Sequence, residues 1–401
     1  MSHIVISMDS HTELVADLKP YLARKWYDEF KQGEVLAQRY FSSMINSFAA
    51  MMTDPARADQ QPFSTLLPPS ERPPVVEEYM RPMPMKERLA LIDADGVAAE
   101  FITPFIGAFS DSPEFLHECN LAYHRYFADY ISPAPYRFTG STVANLVCGV
   151  QTVLEEIDDA YRHGLRALSM PGKVSFVSRD LPTYNARFYD PIWAALAERG
   201  MAAVFHAGFG REKPLLRWDG RIWPWSTSGQ GEPGWELLVQ DAVSFGEFEY
   251  LKYLLAGSVP ERFPSLRIGI LESGAHWIPE VIRQVDFYWN AQTKLGSLNS
   301  YRGKLSPLEQ WHRQCFVSTT LDARELELRH LLGVSNLMWG SDFPHVEGTY
   351  PHTREHLAKL FAGISPGETE AIIGGNAARM MGFDLAKLAQ TPAAQAPWPG
   401  F

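Results

Sequence analysis

Residues 189–208 read YDPIWAALAERGMAAVFHAG. The first half carries apolar residues near helical spacing and stops at Gly200, a usual helix terminator. Ala202 to Phe205 then forms a short apolar run of strand length, and His206 follows it directly. A helix, a glycine stop, an apolar strand and a polar residue at the strand end make one unit of an α/β repeat.

The same unit recurs along the chain. Apolar runs of strand type lie at Ile4 to Met8, Ala98 to Phe105, Arg137 to Val143, Ala167 to Met170, Ala202 to Phe205, Ile268 to Leu271, Phe316 to Thr319 and Asn336 to Trp339. Amphipathic stretches such as VQTVLEEIDDAYRHG separate them. Eight strands alternating with helices point to a parallel α/β fold, and eight is the number that closes a (β/α)8 barrel. An open doubly wound sheet would favour a glycine-rich turn after an early strand. Here the first strand ends in Met8-Asp9-Ser10-His11, with no glycine. The expectation is a distorted TIM barrel over residues 1–385, with a tail at 386–401 that reads as an extended arm. Two long insertions interrupt it, at about 14–80 after strand one and about 207–240 after strand five. Both follow strands, so both belong to the face where barrel active sites form. Of the 11 tryptophans, Trp218, Trp223, Trp225 and Trp235 sit in the second insertion, where they can wall off an aromatic or apolar substrate or pack on one another.

Composition narrows the function. The chain has 401 residues, 46% of them apolar, and a formal net charge of −11. That charge repels nucleic acid and anionic membrane, so neither is an expected partner. Cys119, Cys148 and Cys315 are scattered and odd in number, which argues against a disulfide framework and for a reducing compartment. The start MSHIVISMDSH lacks the features of a signal peptide, and no apolar run reaches membrane-helix length. The expectation is a cytoplasmic enzyme of a small molecule, with a homodimer as the commonest assembly.

The polar residues at strand ends carry the chemistry. Asp9 and His11 lie two apart at the end of strand one, so their side chains share a side. His206 ends strand five and Asp342 ends the stretch NLMWGSD after strand eight. Glu272 follows strand six, and His276 and His345 lie just beyond strand ends. A buried carboxylate or imidazole needs a cation or hydrogen-bond partners. In a barrel these ends converge on one mouth, and Asp with His suits zinc, iron or manganese. Each residue alone also admits a structural role, as a helix cap for Asp342 or a satisfied core group for His206.

The pieces MDSH, FHAGFG, LESGAHWIPE, WGSDFPH and GNAARMMGFD together resemble the amidohydrolase superfamily, in its amidohydrolase-2 group. That group includes the aminocarboxymuconate-semialdehyde and γ-resorcylate decarboxylases. The resemblance implies a metal held by Asp9, His11, His206 and Asp342. Many members carry a histidine on strand six, where this chain has Glu272, so Glu272 is a candidate fifth ligand and the centre is expected to hold one or two ions, zinc foremost, with iron or manganese as alternatives. The leading expectation is a hydrolase in which a metal-activated water attacks an amide, ester, thioester or activated C–C bond. Asp342 shuttles the proton, and His276 or His345 assists the polarisation. The alternative is a metal-dependent non-oxidative decarboxylase of an aromatic carboxylic acid, and a barrel that only binds is the third reading.

Overall fold

The structure, a computed structural model, describes residues 3–12, 17–35, 83–104, 110, 112–207, 249–295, 303–345 and 348–398. Eight strands form one sheet in sequential order: β1 (Val5–His11), β2 (Val97–Thr103), β3 (Phe138–Val143), β4 (Ala167–Ser169), β5 (Ala202–His206), β6 (Arg267–Leu271), β7 (Cys315–Thr319) and β8 (Leu337–Trp339). Every neighbouring pair is parallel. Helices lie between them, chiefly α1 (Met85–Asp95), α2 (Pro113–Ile131), α3 (Val150–Arg162), α4 (Asp190–Arg199), α5 (Glu249–Ala256), α6 (Ile278–Leu295), α7 (Pro307–Gln314) and α8 (Thr353–Leu360). This is the expected (β/α)8 barrel.

The ring closes between its first and last strands. Ser10 bridges Phe343 in parallel, the His11 N–H donates to the Phe343 carbonyl at 2.6 Å, and the Asp342 N–H donates to the Asp9 carbonyl at 2.9 Å. β1 therefore runs through His11, three residues past the apolar run visible in the sequence. Pairing on both sides holds the polar Asp9-Ser10-His11 extended, with a register shift between Ser7 and Ser10.

Alternation along the strands divides the buried apolar residues into two layers. Ala203, Phe205, Ile268, Ile270, Val317, Leu337 and Trp339 join the cluster between strands and helices. Ile6, Met8, Ala202, Val204, Leu271, Phe316 and Met338 fill the barrel interior. Gly269 faces inward as well, where a Cβ would stand 2.4 Å from the Phe316 ring, so glycine there makes room for that ring. The interior cluster continues into Ala377, Met381, Leu388, Ala393 and Ala394. Residues 386–398 thus lie against the barrel as two short helical turns, Leu385–Leu388 and Pro392–Gln395, instead of extending as an arm. Trp398 meets His3 edge-on at 5.8 Å.

Of the first insertion, residues 17–35 are described, and they rest on α2. Trp26 packs on Phe115 at 5.6 Å and Arg125 donates to the Tyr21 carbonyl at 2.8 Å. The proline-rich remainder of that insertion, the second insertion after Ala207 and its tryptophans Trp218, Trp223, Trp225 and Trp235 lie outside the described residues. No helix among the described residues is long and apolar enough to cross a membrane.

One buried carboxylate links the scaffold to pH. Asp95, at the end of α1, accepts the Thr353 backbone N–H at 3.0 Å. Burial pushes its carboxyl up from 3.8 to about 6, with the Thr353 hydrogen bonds offsetting part of the rise. The folded chain then holds a proton that the unfolded chain has released, so this residue's contribution declines as pH rises from about 4 to about 6. At neutral pH the full penalty, about 3 kcal/mol, is in force. Asp95→Asn keeps an acceptor oxygen and removes the ionisation. Its melting temperature relative to the parent chain should be higher near neutral pH than at about pH 4, and a difference that does not change with pH would refute the assignment.

Candidate metal centre

Strand geometry brings the donors together. His206 has the same parity along β5 as the inward Ala202 and Val204, so it enters the barrel mouth. Its Nδ1 lies 2.7 Å from the Ala207 carbonyl, which can only accept, so Nδ1 carries the proton. Nε2 then faces two carboxylates, Glu272 Oε2 at 3.0 Å and Asp9 Oδ2 at 3.4 Å. A bare nitrogen lone pair cannot sit there without repulsion, so the nitrogen is either protonated or shares a cation with them. Burial alone would lower the His206 pKa, but Asp9 and Glu272 hold it well above its ordinary value.

A second knot adjoins the first. Asp342 Oδ1 lies 3.1 Å from His11 Nε2 and 3.0 Å from His345 Nδ1. The His11 and His345 rings stack at 4.1 Å, and His11 meets His206 edge-on at 5.1 Å. Burial and the neighbouring His345 push His11 down to about 4, in spite of Asp342 and Asp9. Burial and the Asp342 charge raise the Glu272 carboxyl to about 7, His206 offsetting part of it. Burial would also raise Asp342, yet His345 and His11 hold it well below the usual carboxylate range.

The backbone is bent to deliver these groups. Glu272 and Asp342 both occupy the left-handed region, with φ of 50° and 55°. For a non-glycine residue this costs on the order of 1 kcal/mol or more and persists only where the surroundings enforce it. Here the Glu272 N–H donates to the Ser318 carbonyl at 3.2 Å, and the Asp342 N–H is the seam bond to Asp9. Ser7 Oγ lies 2.9 Å from Ser341 Oγ, donates to the Asp9 carbonyl at 2.6 Å and accepts the Ser341 N–H at 2.8 Å. Thr103 donates to Asp9 Oδ1 at 3.0 Å. Below, the buried Arg88 donates to the His11 carbonyl at 2.5 Å and pairs with buried Glu100 at 2.7 Å.

The arrangement fits a divalent cation. Donors that share an ion through bonds of about 2.0–2.2 Å stand roughly 3–3.5 Å apart, and the pairs above meet that spacing. Asp342 Oδ2 is buried with no hydrogen-bond partner among the described residues, and Asp9 Oδ2, His11 Nε2 and Asp342 Oδ1, also buried, face the cluster's own donors. Asp9, His11, His206 and Glu272 form one metal-capable group, and His11, Glu272, Asp342 and His345 form another. His276 is exposed and belongs to neither group. Sequence reasoning missed Ser7, Thr103, Arg88 and Ser341, which hold the donors in place. Glu100, a charge inside the apolar run VAAEFIT, was the visible signal of that supporting layer.

Solved structures share this fold. A 5-carboxyvanillate decarboxylase, LigW, from Sphingomonas paucimobilis aligns with a TM-score of 0.58 at 18% identity, covering 96% of this chain and 100% of that one. An amidohydrolase from Mycobacterium avium subsp. paratuberculosis K-10 aligns at 0.67 and 17%, covering 96% and 100%. A 5-carboxyvanillate decarboxylase from Novosphingobium aromaticivorans, in complex with manganese and 4-hydroxy-3-methoxy-5-nitrobenzoic acid, aligns at 0.61 and 15%, covering 95% and 96%. No curated protein sequence matches the chain. The family model Amidohydro_2, described as amidohydrolase, matches residues 8–383, nearly the whole sequence, and the chain therefore belongs to the amidohydrolase family.

Proposed function

We propose that the chain is a divalent-metal-dependent, non-oxidative decarboxylase of an aromatic carboxylic acid. The observation that carries the reading is Asp342: a buried carboxylate, left-handed at the barrel mouth, wedged between two imidazoles and bordering a donor set suited to a cation. Two of the three structural relatives above are named as decarboxylases of an aromatic acid, and one holds manganese. Hydrolysis is the leading expectation on the sequence alone. The relatives tip the balance to carbon–carbon cleavage, although one of them is named an amidohydrolase and the same residues serve either reaction. Three carboxylates and no thiolate among the donors suit manganese at least as well as zinc.

In this reading Asp9, His11, His206 and Asp342 hold the cation, which when bound draws electron density from the substrate's carboxylate and an adjacent hydroxyl. Asp342 Oδ1 lies 3.0 Å from His345 Nδ1, so the carboxylate can take a proton from the His345 imidazolium and pass it to the substrate, while its other oxygen would ligate. The proton adds to the ring carbon that bears the carboxylate. The bond to that carboxylate then breaks, carbon dioxide leaves, and the electron pair restores the aromatic ring. His345, stacked on His11, orients the Asp342 carboxylate. Glu272 is the most open of the carboxylates, with 28% of its side chain exposed against 2% for Asp342, so it borders the substrate's side of the mouth.

The chelator-stripped chain, reloaded with manganese or zinc, should release carbon dioxide and an equal amount of the decarboxylated phenol from a member of a hydroxybenzoate panel. Hydrolysis of activated esters in the same panel, without carbon dioxide, would overturn the reading in favour of the hydrolase. Asp342→Asn should lower kcat by about a thousandfold, on the order of 4 kcal/mol in barrier.

A second expectation tests how the site is supported. At Gly340 a Cβ would stand 2.8 Å from Ser318 Oγ and 2.9 Å from Asp9 Cβ. Gly340→Ala should push Asp9 out of place, at an overpacking cost of about 1–3 kcal/mol in stability. It should also weaken manganese binding about tenfold. Gly367→Ala, at a helical position where no atom lies within 4 Å, should not lower the melting temperature and should leave the affinity unchanged.

A further inference from the structure

The end of the barrel opposite the mouth carries a cleft of about 470 Å³. Its walls come from the C-terminal ends of α2 and α3, the residues that open β3 and β4, and the turn at 381–387. A volume of this size suits a small organic molecule. Three cations line it, Arg162, Arg166 and Lys387, with Asp384 as the only carboxylate among its lining residues. Arg166 carries the argument. It is half-buried, its Nη1 donates to the Tyr161 and Leu165 carbonyls at 3.0 and 2.9 Å, and no carboxylate among the described residues pairs with it. Nε and Nη2 are left as two parallel donors, the edge of a guanidinium that grips a carboxylate or phosphate with two bonds.

The surroundings add to this in two ways. Arg162 and Lys387 have acids nearby, Asp159 at 2.9 Å and Asp384 at 3.9 Å, but both cations are largely exposed, where such pairs are weak and an anion can exchange into them. Arg267 and Arg379 border the same turn, donating to the Met380 and Ser335 carbonyls, and neither pairs with a carboxylate among the described residues. On a chain of net charge −11, such a concentration of unneutralised arginine is where an anion is drawn. The rest of the wall is aromatic: Tyr136, Phe138 and Phe383 line the cleft, and the Arg166 guanidinium lies over the Tyr161 ring at 4.4 Å. Tyr136 is 44% exposed, a large ring surface left open beside the cations. We propose that this cleft binds a small organic anion built on an aromatic ring, with its carboxylate or phosphate on the Arg166 edge and its ring against Tyr136 and Phe383. The site lies at the far ends of the strands from the donor cluster, and the proposal stands whatever reaction the mouth performs.

The test is binding of 4-fluorobenzoate to the full chain, followed by fluorine NMR. The chain is first stripped with chelator, because the mouth then presents Asp9, Glu272 and Asp342 without a cation and repels a carboxylate. The proposal expects saturable binding of one molecule per chain, displaced by phenyl phosphate. Fluorobenzene, which lacks the charge, and inorganic phosphate, which lacks the ring, should each bind about tenfold more weakly or worse. Arg166→Gln should weaken 4-fluorobenzoate about tenfold, with circular dichroism checking the fold. If that variant does not fold, the double variant Arg162→Gln, Lys387→Gln decides, since both side chains are exposed, and it should weaken binding about threefold or more. No saturable binding, or an affinity that these substitutions leave unchanged, would overturn the proposal. Inorganic phosphate binding as tightly as 4-fluorobenzoate would overturn it as well, by removing the aromatic ring from the recognition.

Discussion

Mutual repulsion among Asp9, Glu272 and Asp342 is the constraint around which the mouth of this barrel is organised. Three carboxylates cannot share a buried space unless something positive sits among them. His206, His11 and His345 supply part of it, and their positions follow from the charge: every imidazole of the cluster has a carboxylate oxygen within 3.1 Å. The pKa directions express the same tension, with one histidine driven up, one driven down, and one acid raised beside another held low.

The scaffold spends conformational strain to keep that arrangement. Two of the four positive-φ non-glycine residues among those described are the site acids Glu272 and Asp342. A third, Leu321, lies at the end of β7, between them around the ring. The ends of β6, β7 and β8 thus turn sharply instead of running on, which aims their last side chains across the mouth rather than along it. The serine pair Ser7 and Ser341 ties β1 to the turn after β8 at that level. The backbone bonds of Glu272 and Asp342 thus fix the point from which each side chain enters the mouth.

The barrel was legible because apolar runs of strand length recur eight times, several of them ending at or just before a polar residue. The same signal located His206, Glu272 and Asp342, since a polar or charged group at the end of a buried strand is costly unless a partner or a cation meets it. Asp9 and His11 were harder. Their strand continues through polar residues that alternation does not flag, and they owe their backbone to pairing with β2 and the seam with β8, which no local pattern encodes. His276 differs from these: it follows Glu272 closely in sequence, but after the turn into α6 it lies exposed. The folded position of residues 386–398 was equally hidden, because short Ala- and Pro-rich segments read as linkers until a barrel end is there to receive Leu388 and Ala393.

The seam between β1 and β8 joins residues as much as 334 positions apart. Its bonds run through the amides of His11 and Asp342, so the last act of ring closure and the assembly of the donor cluster are one event. A chain with seven strands docked and the eighth loose lacks Asp342 and His345 at its mouth. Cation occupancy would then report on topology as well as chemistry: an ion bound across the seam favours the closed ring by mass action, and its release lowers the barrier to opening there first.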